Sequence, residues 1–229
     1  MKTVLNVVLI ACIGLLAYIC YGSIMGPIKF DEERAKRERV VINRLIDIRK
    51  AQVEYRTANQ GVYTASFDTL INFVKTQKIP YVAKEGVLSD EQLEKGMTER
   101  KAMSIINKAK QTGNWREVES EGLTNFRRDT FWVSVMDTIF PKGFNADSLR
   151  YIPFGNGAQF EMTTAVDSSS KSGVPIYLFE AKAPYEIYLN GLDHQQIVNI
   201  KDYAIKLGRY PGLQVGSIDI PNNNAGNWE

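Results

Sequence analysis

From Thr3 to Ile28 the chain is apolar and carries no charge, and Lys2 is the only charged side chain before that run. As a helix rising about 1.5 Å per residue, the run is about 39 Å long, more than the ~30 Å hydrocarbon core of a bilayer. It predicts a transmembrane anchor over residues 1–28, with Asn6, Ser23, Cys12 and Cys20 as its polar or reactive interruptions. Beyond it the pattern changes to a helical period. Val41, Leu45, Ile48, Ala51, Tyr55 and Ala58 recur at spacings of three and four between Phe30 and Asn59, a stretch without proline or glycine. The first turns, Asp31 to Arg39, are nearly all charged, with Glu33 and Arg37 at i,i+4, and read as a solvated helix.

Further along, Gly61 is placed to end this helix, Ser66 to cap a short one over Phe67–Lys75, and Pro80 to stop that. Ser89 with Gln92 forms a capping box at the start of helical material running from Leu88 to Gln111, and Thr98 offers a second start. Gly113 to Gly122 reads as a connection. After Arg128 the texture becomes β-like: Thr130–Met136, Leu149–Phe154, Ala158–Val166, Val174–Ala181 and Tyr185–Leu189 are rich in aromatic and β-branched residues. Turn signals separate them at Pro141–Gly143, Gly155–Gly157, Ser168–Gly173 and Pro184, and short even spacing suggests an antiparallel meander. Asp193 with Gln196 caps a helix over His194–Leu207, and Gly212–Ile218 makes a last strand. The expected fold class is α+β, an N-terminal transmembrane helix continuing into an amphipathic helix, then short helices and an antiparallel sheet. The expected divisions are an anchor over 1–28, a long and a short helix over 29–79, a helical insertion over 80–127, a β-rich region over 128–220 and a polar tail over 221–229.

Composition narrows the partners. Among 229 residues, 28 basic and 26 acidic side chains leave a formal net charge of +2, with both signs interspersed. That gives no single-sign field for nucleic acid, and Arg127–Arg128 alone makes no basic aromatic face. Both cysteines lie inside the apolar run, so no disulfide can staple the ectodomain. A cleaved signal peptide would end its apolar core earlier at small residues, and no such site is evident. Leu9–Ile10–Ala11–Cys12 resembles a lipobox, yet Gly14 to Tyr21 would stay apolar after cleavage there, so a permanent anchor is the reading adopted. Lys29, Arg34, Lys36, Arg37 and Arg39 outnumber the cations on the N-terminal side, which by itself directs the large domain to the cytoplasm.

The segments Ile48–Tyr55, Asn59–Gln60–Gly61–Val62–Tyr63–Thr64 and Phe67–Leu70 resemble those of the type IV pilin and type II secretion pseudopilin families. In those families a long N-terminal helix ends in a similar Ala-x-x-x-Tyr segment, followed by an Asn-x-Gly-x-Tyr turn, a short helix and an antiparallel sheet. The match covers about 40 residues. It implies an exported ectodomain on a bacterial inner membrane, facing the periplasm, and partners among other membrane proteins of an envelope assembly. The chain as a whole is also similar to a family of bacterial single-pass membrane proteins from which no activity can be carried over. One departure matters: pilins are cut after a glycine preceding the apolar stretch, with glutamate at the fifth mature position. Here Gly14 has Ile19 at that place, so no processing site is carried over and a stationary component is favoured over a filament subunit.

Candidate chemistry is sparse. His194 is the only histidine and sits in the first turn of a predicted helix. Without a second histidine or an ectodomain cysteine, the usual nitrogen- and sulfur-rich metal sets cannot form, and no Gly-x-Ser-x-Gly elbow is present. No cofactor, metal ligand or catalytic residue is therefore assigned. Two other candidates remain. Asn6, Gly14, Gly22 and Gly26 could pack the membrane helix against another helix or a second copy. Trp228, in a polar tail, either docks on its own domain or inserts into a partner. The expected function is a non-catalytic, membrane-anchored scaffold of a secretion or pilus-type machine; the alternative is a membrane-tethered, cytoplasmic-facing regulatory or binding module. A homo-oligomer fits either.

Overall fold

The computed structural model describes residues 2–168 and 174–229. The first element, α1 (Lys2–Ala58), is one uninterrupted helix that joins the apolar run to the amphipathic one. Pro27 lies inside it without ending it, although its missing N–H leaves one helical hydrogen bond unmade. In the amphipathic half Val41, Leu45, Ile48 and Ala51 are fully buried, Tyr55 is half-buried, and Ala58 is exposed, so the predicted stripe ends one turn early. Gln60 and Gly61 both adopt positive φ, and the Gly61 N–H reaches back to the Arg56 carbonyl at 2.9 Å, closing the helix end. Next comes α2 (Phe67–Thr76), with Ser66 Oγ accepting the Thr69 N–H as the sequence predicts.

Pro80 does not act as the stop signal. It lies within β1 (Lys78–Glu85), a strand hidden from sequence reading by its charges and by this proline. The capping box at Ser89 and Gln92 opens α3 (Asp90–Glu94), and Thr98 caps α4 (Glu99–Thr112), whose end Gly113 takes left-handed. The predicted connection contains a further turn of helix, α5 (Arg116–Ser120). Then β2 (Arg127–Ser134) pairs antiparallel with β1, and α6 (Val135–Ile139) follows.

Two predicted strands take other forms. Over Leu149–Phe154 a 3-10 turn, Ala146–Arg150, occupies the start because Asn145 accepts the Asp147 N–H and nucleates it; only Tyr151 then bridges to Gln159. Gly155–Gly157 is the hairpin-type turn expected, with Asn156 and Gly157 both at positive φ. The three-stranded antiparallel sheet consists of β3 (Glu161–Asp167), β4 (Ile176–Pro184) and β5 (Gly212–Gly216), in that order. The turn expected after Ser168 lies outside the described residues. Tyr185–Leu189 is not a strand but α7 (Tyr185–Tyr188), started by Pro184 and held by full burial of Tyr188. Here packing overrides β-propensity. Asp193 then caps α8 (His194–Lys206) through the Gln196 N–H.

The fold is thus α+β, but its strands form two sheets of two and three strands rather than one meander. The chain divides into two compact units, residues 1–75 with 139–229, and residues 76–138. In the first, one face of the sheet presents Phe179, Ala181, Ala183, Leu213 and Val215, all buried, and α1 packs against β4 and β5. In the second, Leu88, Ala102, Ile106, Ala109, Val118, Leu123 and Phe126 form a small core of their own. Arg128 organises that core, stacked over the Phe126 ring at 3.9 Å and bonded to the Glu85 and Gly86 carbonyls and to Glu99.

Candidate functional site

The most conspicuous surface is the first half of α1. Ile10, Leu16, Tyr18 and Ile24 are each at least 60% exposed, on every side of the helix. Among the described residues this is one helix long and apolar enough to cross a membrane. Each such side chain forgoes about 1.5–3 kcal/mol while it faces water, so the surface requires an apolar surrounding. Asn6 is exposed, and nothing lies within 4 Å of where a Cβ would stand on Gly14, Gly22 or Gly26. At about 100° per residue, Gly22 and Gly26 share a face, Gly14 lies about 80° from Gly22, and Asn6 lies about 160° from Gly26. The four predicted positions are therefore not brought together on one stripe. Cys12 and Cys20 are free and exposed.

Packing begins at once where charge returns. Phe30 is only 5% exposed, two residues past Ile28. A hollow of about 220 Å³ lined by Gly26, Lys29, Phe30, Leu192 and Asp193 places the turn between α7 and α8 beside this junction. Arg37 fastens that turn, donating from Nη1 to the carbonyls of Tyr188 at 3.0 Å and Asn190 at 2.8 Å. Arg34 donates from Nε to Glu38 at 2.8 Å; burial opposes its charge, but the hydrogen bond to Glu38 prevails and its pKa is raised. On the exposed side Lys36 holds the Glu33 carboxyl below its usual range.

Beside Arg34 opens a groove of about 650 Å³, walled by Tyr185, by Ile200, Tyr203 and Leu207 of α8, and by Arg209, Tyr210, Gln214, Asn227 and Glu229. Its polar groups carry both signs. Tyr210 is pushed up to about 12, by burial first and then by the Glu161 and Glu180 carboxylates. Glu180 is 2% exposed on β4, and its Oε1 has no hydrogen bond of good geometry; the Lys182 ammonium, paired with it by charge and lying 5.3 Å over the Tyr210 ring, compensates it. This is a buried ion pair in a cluster with a phenol, and Glu161 lies across the strand from Lys182.

Farther along α1, two side chains that the hydrophobic pattern could not flag hold the fold. Gln52 is fully buried and grips Thr64 at both main-chain groups, donating to its carbonyl at 2.6 Å and accepting its N–H at 3.3 Å. It thereby fixes the Asn59–Thr64 turn on α1. Arg49 donates to the Asn224 carbonyl at 3.2 Å and to Glu229 at 2.7 Å. The tail is accordingly not loose: Gly226 bridges to Val215, Asn227 exchanges hydrogen bonds with Gln214, and Asn224 donates to the Tyr63 hydroxyl at 2.9 Å. Trp228 is half-buried with its ring over Gly226. His194 is exposed in the first turn of α8, and among the described residues no three His, Cys, Asp or Glu side chains converge as a metal site.

No family model, no curated protein and no solved structure matches this chain. Fold and surface together define an α+β protein carrying one N-terminal helix long and apolar enough to span a membrane.

Proposed function

We propose that the protein is a non-catalytic scaffold of a bacterial envelope machine, held by a permanent single-pass anchor in the inner membrane with its pilin-like α+β domain in the periplasm. One observation carries this reading: a single helix is uncharged from Thr3 to Ile28, with its described apolar side chains largely exposed, and packs against an antiparallel sheet in its second half. That is the layout implied by the resemblance of Ile48–Leu70 to pilins and pseudopilins, and Gln52 supplies a physical reason for the shared turn. Ile19 stands where glutamate would follow a cut after Gly14, which favours a stationary part over a polymerising one. Packing that starts at Phe30 leaves no flexible spacer, which suits a component that must present a surface at a set distance from the bilayer.

The basic residues Lys29, Arg34, Lys36, Arg37 and Arg39 support the second reading, a binding module tethered on the cytoplasmic side. Labelling of a Val87→Cys variant distinguishes the two, because Val87 is 93% exposed. In a background with Cys12 and Cys20 replaced by serine, a membrane-impermeant maleimide should label spheroplasts before lysis. Labelling only after lysis contradicts export. Cross-linking followed by pull-down from membranes tests the scaffold role: discrete partners are expected, and a monomer without stable partners contradicts it.

A further inference from the structure

The two-stranded ribbon of β1 and β2 has one edge interrupted by a proline and one open edge. Its register pairs Pro80 with Trp132, Tyr81 with Phe131 and Val82 with Thr130. The Val135 N–H donates to the Gln77 carbonyl at 3.0 Å, which sets the alternation of the ladder. Odd-numbered residues of both strands bond across the ribbon, and even-numbered ones turn their main-chain groups outward. On β1 the outward positions are Lys78, Pro80, Val82 and Lys84, and Pro80 interrupts this edge because it has no N–H to offer. On β2 the outward positions Thr130 and Trp132 keep theirs, and both side chains are exposed. A two-stranded ribbon is marginal by itself, and a third strand adds a full ladder of main-chain bonds.

We infer that the open edge of β2 pairs antiparallel with β2 of a second copy of this chain, about a two-fold axis through Phe131. The sequence of the edge is what selects this occupant. Thr130–Phe131–Trp132–Val133 is uncharged, so a dyad at Phe131 brings no like charges together, whereas one displaced toward Arg127 and Arg128 would. In this register Thr130 faces Trp132 of the second copy, and Arg128 faces its Ser134. Tyr81 and Phe131, 60% and 55% exposed, lie opposite each other on one face of the ribbon. The dyad extends them into a row of four aromatic rings across a four-stranded sheet, an isologous contact of the kind that closes dimers. The pairing does not depend on the envelope-scaffold proposal; a dimer forms equally well on either side of the membrane.

Cysteine cross-linking in native membranes tests it, with the full chain, Cys12 and Cys20 replaced by serine, and copper-phenanthroline as oxidant. A Phe131→Cys side chain meets its own copy in a non-hydrogen-bonded pair, where Cβ atoms are close enough for a disulfide. A Tyr81→Cys side chain is similarly exposed on the same face but three strand spacings, about 14 Å, from its copy. Phe131→Cys should give a species of twice the monomer mass in at least about tenfold higher yield than Tyr81→Cys. Adding Thr130→Pro, which removes an outward N–H and spares the β1 ladder, should bring Phe131→Cys down to the Tyr81→Cys yield. Equal yields from the two single variants overturn the proposal, as does cross-linking of Phe131→Cys to a different protein.

Discussion

The two halves of α1 have the same secondary structure and opposite environments. Before Ile28 most of the described apolar side chains are exposed, on every side of the helix; after Phe30 one stripe is fully buried at Val41, Leu45, Ile48 and Ala51, while Val40 and Val53 beside it stay exposed. A helix apolar on all sides needs an apolar solvent, while one apolar on a single side makes its own by packing. The backbone is continuous through the change, so the difference lies wholly in side-chain pattern. The first half is long and apolar enough to cross a membrane, and the second half packs against the domain.

That separation can be broken from either side. The largest effect should come from Leu15→Arg with Ile19→Arg, each costing about 2.5–3.5 kcal/mol in a bilayer. The doubly substituted protein should leave the membrane fraction on carbonate extraction, while amide exchange in β4 stays unchanged. Leu45→Ala should do the converse: about 2–5 kcal/mol lost from the domain, read as faster exchange in β4 and β5, with membrane retention intact. Gln52→Ala leaves both Thr64 main-chain groups unpartnered and should cost about 1–3 kcal/mol, with exchange rising first in residues 59–66.

The smallest effect concerns pH and should be confined to the packed half. Tyr210 titrates near about 12 in the folded protein against an ordinary 10.0. A raised folded pKa means that its contribution is fully present below pH 10.0 and is lost as pH rises through about 12. Tyr210→Phe should therefore flatten the alkaline decline of thermal stability in that window and leave the neutral-pH membrane distribution alone.

Much of this organisation was legible in the sequence because it is local. The exposed run, the buried stripe and the caps at Ser66, Ser89, Thr98 and Asp193 depend on neighbours within one or two turns. What escaped depends on distant partners. β1 is a strand only because β2 lies beside it, and its proline and charges argue against a strand when read alone. Tyr185–Tyr188 turns helical because Tyr188 must be buried and because Arg37, 151 residues away along the chain, takes up its carbonyl. Likewise nothing in Asn222–Glu229 announces that Arg49 and Gln214 will hold it. Of the candidate positions, the membrane glycines were found by composition, while their scatter around the helix shows only when angular positions are compared.

The native cysteines allow the most direct measurement. Cys12 and Cys20 are both exposed on α1 and are the only two cysteines in the sequence, so any protection they show must come from outside the folded chain. In intact membranes a water-soluble maleimide should leave both unmodified while labelling an added Arg39→Cys, and all three should react once the membranes are dissolved in denaturing detergent. Modification of Cys12 and Cys20 in intact membranes, at a rate like that of Arg39→Cys, would contradict the assignment of the first half of α1 to the bilayer.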